Sequence, residues 1–101
     1  MFTSVLIYPR LSVEKDVKVP YDQKIKKHMR TIGGYYKQMF SHEYSILDTK
    51  YDDKHILVVL EGNLKDELEE IEQLVEQCNF IRINDKIMSI YGRVVEFNIF
   101  N

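Results

Sequence analysis

The sequence predicts one α+β domain with a ferredoxin-like split βαβ core (strand, helix, strand, strand, helix, strand) and an additional C-terminal strand or hairpin. Three observations point to this order. Ile56, Leu57, Val58, Val59 and Leu60 form an unbroken apolar run, the pattern of a strand buried on both faces. Leu64, Leu68, Ile71, Val75 and Cys78 follow at spacings of four, three, four and three, one stripe of an amphipathic helix. Only one other run, Val5 to Tyr8, is apolar without interruption. In a split βαβ sheet the first and third strands are the central ones, and these two runs fall on them.

The first strand is expected over Phe2 to Tyr8, ending at Pro9, which has no N–H for a ladder bond. A polar loop, Ser12 to Val19, follows. After Pro20 a helical pattern places Ile25, Met29, Ile32, Tyr36 and Met39 on one side, with Asp22 positioned to cap it. Gly33 and Gly34 each cost a helix about 1 kcal/mol relative to Ala. An end or a kink is expected there, with Tyr35 to Phe40 resuming as a second turn or entering a strand. Tyr44 to Tyr51 reads as a half-buried strand, joined by Asp52, Asp53 and Lys54 to the run at Ile56 in a hairpin. Asn63 is placed to cap the second helix, Asp66 stands in its first turn, and Asn79 is expected to close it in a left-handed conformation. From Phe80 to Phe100 the chain is strand-like, with breaks expected at Asn84-Asp85 and at Gly92.

A chain of 101 residues holds one domain, 1–101, and 45% hydrophobic residues with 4 Gly and 2 Pro mark it as folded. No apolar stretch approaches about 18 residues, and Met1 to Tyr8 has neither a basic region nor a small-residue cleavage site, so a cytoplasmic protein is expected, in the host cytoplasm if viral. Cys78 is alone, which excludes a disulfide framework and a thiolate metal site; it is expected as a small buried hydrophobe. The net charge of −2 divides unevenly, since residues 1 to 50 carry nine Lys/Arg against five Asp/Glu and residues 51 to 101 carry five against eleven. Absence of Ala and Trp, with plentiful Ile, Lys, Asn and Tyr, matches AT-rich coding and suggests a phage or other mobile element.

Opposite the apolar stripe of the second helix, Asp66, Glu69, Glu70 and Glu76 project outward with Glu72 on the flank, a surface suited to a basic protein partner or a solvated helix face. Lys26, Lys27, Arg30 and Lys37 share one side of the first helix and are the candidate nucleic-acid contacts. Side-by-side helices would let the two sets compensate each other. His28, His42 and His55 form no metal spacing and are expected as satisfied surface or loop histidines; the lesser alternative brings His42-Glu43 and Asp52-Asp53 together at one end of the hairpin for metal or acid–base chemistry. Ser41 beside His42 has the wrong geometry for a nucleophile and its base. Seven Tyr and five Phe are numerous, yet the basic-Gly-aromatic pattern of RNA-reading sheets is missing from the central runs, whose aliphatic residues suit a second sheet or another protein. Val94, Val95, Phe97, Ile99 and Phe100 are apolar on both faces of a terminal strand, which predicts a homodimer interface built on Val95, Phe97 and Ile99.

Lys26-Lys27, Gly33 and Gln38, after a first strand, resemble the small ferredoxin-like CRISPR-associated Cas2 proteins over some twenty residues. That family carries an Asp at the end of the first strand, where this chain has Tyr8-Pro9-Arg10, so the resemblance implies nucleic-acid binding without implying metal-dependent nuclease chemistry. The residues together point to a small non-enzymatic, protein-binding regulatory or inhibitory module without metal or cofactor. The alternative is a nucleic-acid-binding ferredoxin-like protein.

Overall fold

The two apolar runs pair with each other at the centre of the sheet. Val5 lies opposite Val58 and Ile7 opposite Ile56, antiparallel, so each run buries its neighbour as well as its own face. The computed structural model describes residues 1–13 and 21–101, with side chains for 1–11 and 25–101. In order along the chain these form β1 (Phe2–Val13), α1 (Tyr21–Ser41), β2 (Ile46–Tyr51), β3 (Ile56–Glu61), a 3-10 turn (Lys65–Glu67), α2 (Leu68–Glu76), β4 (Asn79–Ile83) and β5 (Lys86–Phe100). One antiparallel, strongly curled sheet takes all five strands in the order β2-β3-β1-β5-β4. Ser12 and Val13, predicted as the start of the polar loop, belong to β1; the rest of that loop, 14–19, lies outside the described residues, and Asp22 outside the described side chains.

On one side of β1 stand β3 and then β2. On its other side β1 meets β5, while β4, the strand that directly follows α2, lies beyond it at the edge. The pairings make β4 run parallel to β1 and so opposite to β3. The connection through α2 makes no parallel crossover; the turn at Asn84 and Asp85, both at positive φ, reverses the chain so that β5 takes the place beside β1. The C-terminal segment is therefore one hairpin, without the predicted break at Gly92.

Both predicted interruptions of this kind fail for the same reason, close packing. An added Cβ at Gly92 would lie 2.7 Å from Tyr36 Oη, 3.0 Å from Ile7 Cγ2 and 3.1 Å from Val75 Cγ1, so this strand position is the gap over which α1 and α2 both settle. Gly33 is buried with room for no more than ordinary contact to Ile56 and Tyr51, and α1 runs through it unbroken. Burial of Ile25, Met29, Ile32, Tyr36 and Phe40 along α1 outweighs the roughly 2 kcal/mol that two glycines cost. Met39, predicted on this stripe, is half-buried beside Phe40.

Nor does β1 stop at Pro9. Beyond Ile7 it has lost β3 and is bordered by β5 alone among the described residues, an edge, where a missing N–H is tolerated. Its buried residues Thr3, Val5, Ile7, Pro9 and Leu11 alternate with outward ones and face the helices. Thr3 ties the β3–α2 connection to the sheet, donating from Oγ1 to the Gly62 carbonyl at 2.8 Å and accepting from the Leu64 N–H at 3.0 Å.

The start and end of α2 also differ from expectation. Asn63 Oδ1 accepts from the Lys65 N–H at 3.1 Å and begins the 3-10 turn, while α2 itself has no side-chain cap. The helix closes at Gln77, which is extended, and Asn79 is already in β4. Ile71 and Val75 are buried, Leu64 is half-buried, and Leu68 is exposed; Cys78, past the helix end, is exposed as well.

Candidate functional site

Helices cover one face of the sheet and leave the other open. The alternation along β1 assigns Phe2, Ser4, Leu6, Tyr8 and Arg10 to the open face, and the pairings carry that assignment across the sheet. Toward β2 and β3, Leu6 lies opposite Leu57, Ser4 opposite Val59, and Phe2 stacks on Phe100 with ring centroids 4.9 Å apart. These aliphatic and aromatic groups, rimmed by Asp48, Lys50, Glu61 and Glu96, form an apolar half. Toward β4, Tyr8 lies opposite Arg93 and Arg10 opposite Tyr91, with the Arg10 guanidinium 5.3 Å from the Tyr8 ring centroid. Phe80 and Arg82 of β4 extend this second half.

A β-bulge sets which residues of β5 reach it. Leu6 opposes Glu96 and Ile7 opposes Val94, leaving Val95 as the extra residue. The bulge shifts the alternation by one, so Phe97 and Ile99 face the helices at one end while Tyr91 and Arg93 face out at the other. Of the residues predicted for a dimer interface, Phe97 packs against the core, and Val95 and Ile99 are half-buried. The sequence reading missed the open-face arginines altogether; the signal was present as aromatic and arginine two residues apart in each of three strands.

At the hairpin of β2 and β3, Asp52 Oδ1 accepts from the N–H groups of Lys54 at 2.7 Å and His55 at 2.6 Å, and His55 Nδ1 lies 3.6 Å away. The Lys54 N–H foremost holds the carboxyl below its ordinary value; desolvation opposes it, and the His55 N–H and imidazole add to the lowering. His55 also tilts against Tyr8, centroids 5.7 Å apart. A shallow depression of about 220 Å³ on the open face is lined by Leu6, Lys50, Tyr51, Asp52, His55 and Leu57. His42-Glu43 and Asp52-Asp53 flank β2 at opposite ends, so the lesser alternative of a shared site is ruled out. Among the described residues no group of three or more His, Cys, Asp or Glu is arranged to hold a metal ion, and no helix is long and apolar enough to cross a membrane.

The charged helix faces are both at the surface. Lys26, Lys27, Arg30 and Lys37 are exposed on α1; Lys26 pairs with Asp53 of the β2–β3 turn at 3.3 Å, and no ion pair among the described residues joins α1 to α2. Asp66, Glu69, Glu70 and Glu76 are exposed and Glu72 half-buried, none with an ion-pair partner among the described residues. This acidic flank continues around Tyr44, whose hydroxyl is pushed above its ordinary pKa first by burial and then by Glu67, Glu43 and Glu70. Tyr35 is raised by burial, opposed by its hydrogen bond with Asn79. A second depression of about 260 Å³ between the end of α1 and the start of β4 is lined by Tyr35, Gln38, Met39, His42, Asn79 and Phe80.

Comparison with family models, with curated proteins and with solved structures returns no match.

Proposed function

We propose that this chain is a small non-enzymatic regulatory or inhibitory module of a phage or other mobile element that docks a basic protein on the acidic flank of α2 and acts in the cytoplasm. One observation carries this reading: Asp66, Glu69, Glu70, Glu72 and Glu76 stand together at the surface without ion-pair partners among the described residues. Carboxylates left uncompensated in one patch attract a cationic partner and steer its approach. We read the framework as a ferredoxin-like core in which a hairpin replaces the last strand, and self-association through the apolar half of the open face as its oligomeric state.

Capture from a lysate of the native host on immobilised protein, followed by mass spectrometry, is the test. The expected result is a basic protein released by salt and lost from the Glu69→Lys, Glu70→Lys double variant. Capture that survives this charge reversal would overturn the reading. The runner-up, a nucleic-acid-binding protein distantly similar to the CRISPR-associated Cas2 proteins, rests on Lys26, Lys27, Arg30 and Lys37.

A further inference from the structure

Three tripeptides share one pattern, an aromatic residue, a spacer and an arginine: Tyr8-Pro9-Arg10, Phe80-Ile81-Arg82 and Tyr91-Gly92-Arg93. They contain three of the four arginines in the chain. In a strand the first and third residues of such a tripeptide share a face. The spacers Pro9 and Gly92 are buried and Ile81 packs on the core, which turns all three aromatic–arginine pairs to the open face. β1, β5 and β4 are neighbours in that order.

Register converts the three pairs into one arrangement. Because Tyr8 lies opposite Arg93 and Arg10 opposite Tyr91, Tyr8 and Tyr91 are diagonal neighbours. Phe80 lies opposite Ser89, so Tyr91 and Phe80 are diagonal neighbours too. Each step moves one strand across and two residues along, a separation of roughly 7 to 8 Å. The rings thus form a staircase across three strands, with a guanidinium beside each.

We propose that this half of the open face binds single-stranded nucleic acid, with bases stacking on Tyr8, Tyr91 and Phe80 and phosphates held by Arg10, Arg82 and Arg93. Unpaired bases stack on aromatic side chains regardless of their identity, and a guanidinium matches the phosphate group in shape and charge. Tyr91 and Phe80 are 38% and 68% exposed, accessible to such a ligand. Charge chooses the occupant: of the described carboxylates that rim the open face, Asp48, Glu61 and Glu96 sit in the rows from Phe2 to Leu6, and Asp52, which accepts from the Lys54 and His55 N–H groups, stands at the Tyr8 end, while Tyr91, Phe80 and the three arginines lie on the β1–β5–β4 side. Aromatic and arginine side chains also suit protein contacts, but rings and cations alternating along a line fit a polyanion that brings a base with every phosphate. This surface is separate from the α2 flank and lies on the opposite side of the sheet from the basic residues of α1.

Fluorescence anisotropy with labelled oligouridylate and oligothymidylate of about ten nucleotides, a length within the site sizes of sheet platforms, tests the proposal, with a duplex of equal length as control. At about 0.15 M salt the expected result is micromolar affinity for a single strand, weaker affinity for the duplex, and log K falling against log salt with a slope near −0.7 per phosphate held. Tyr91→Ala and Phe80→Ala should each weaken binding by about 5- to 150-fold, Tyr91→Phe should retain it, and melts should show all three variants folded. The stronger of the two single strands assigns RNA or DNA. No binding at tens of micromolar, equal affinity for the duplex, or loss only on changing Lys26, Lys27 and Arg30 to Glu would each overturn the proposal. So would loss of captured protein, without any oligonucleotide binding, in Tyr91→Ala and Phe80→Ala, which would make the staircase a protein contact. Glu69 and Glu70 are unchanged in all these variants, so the docking reading for α2 stands or falls separately.

Discussion

At Gly92 the absence of one side-chain carbon decides how the helices sit on the sheet. Tyr36 of α1 and Val75 of α2 both reach into the space a Cβ would fill, and neither is the free end of a long flexible chain. Gly92→Ala should therefore destabilise the fold by about 1 to 3 kcal/mol, the range for inserting a carbon into a packed core, although alanine suits a strand better than glycine does. Urea melts of the variant, compared with Gly34→Ala at a position with open space, check this; equal melts for the two would refute the close approach. In the sequence Gly92 read as a break because a glycine in a strand has two meanings, a turn or a contact, and only the position of other elements separates them.

For α2 the apolar period was legible but its ends were not. Ile71 and Val75 are buried as their spacing indicated, while Leu68 sits at the first helical residue and is 36% exposed. The 3-10 turn takes up Lys65 to Glu67 and starts the α-helix late, so Leu68, the second member of the stripe, stands at the first helical residue instead of inside the helix. Ile71→Ala should cost about 2 to 5 kcal/mol, Leu68→Ala about 1 kcal/mol, and Glu70→Ala less than about 0.5 kcal/mol. Denaturant unfolding that ranks Leu68 with Ile71 would show that the observed helix phase is wrong. On α1 the competition ran the other way: a long buried stripe carried the helix through two glycines that local propensity treated as a stop.

The molecule as a whole measures 44 × 21 × 20 Å, since β2 and β3 flank one end of the long β1–β5 ribbon and β4 the other. With both helices on one face, the apolar half of the other has no cover from the described residues. Face-to-face self-association through Phe2, Leu6, Leu57 and Phe100 would remove that surface from water. Light scattering is expected to give twice the 12.1 kDa chain mass, and Phe2→Asp with Phe100→Asp, both exposed residues, is expected to return a folded monomer. A 12.1 kDa species for the unmodified protein across micromolar concentrations would rule the dimer out. The terminal strand was the right place to look for an apolar surface, but its inward residues, Phe97 and Ile99, serve the helix side.

The sequence by itself determined the two central strands, the hairpin between β2 and β3, the buried phases of both helices and the exposure of their charged faces, because each rests on a local period of hydrophobicity that survives in any packing. Tertiary structure alone decided three matters. Pro9 stays in β1 because β3 begins only at Ile56, opposite Ile7, a fact about a partner 47 residues away. β5, and not the strand directly after α2, borders β1, pairing with it from Phe2 to Val13. The bulge at Val95 turns Tyr91 and Arg93 to the open face while Phe97 points inward. A one-residue shift exchanges the two faces of a strand, and a single extra residue in a ladder leaves no mark on composition or spacing, so the aromatic–arginine staircase becomes visible only when the three strands lie side by side.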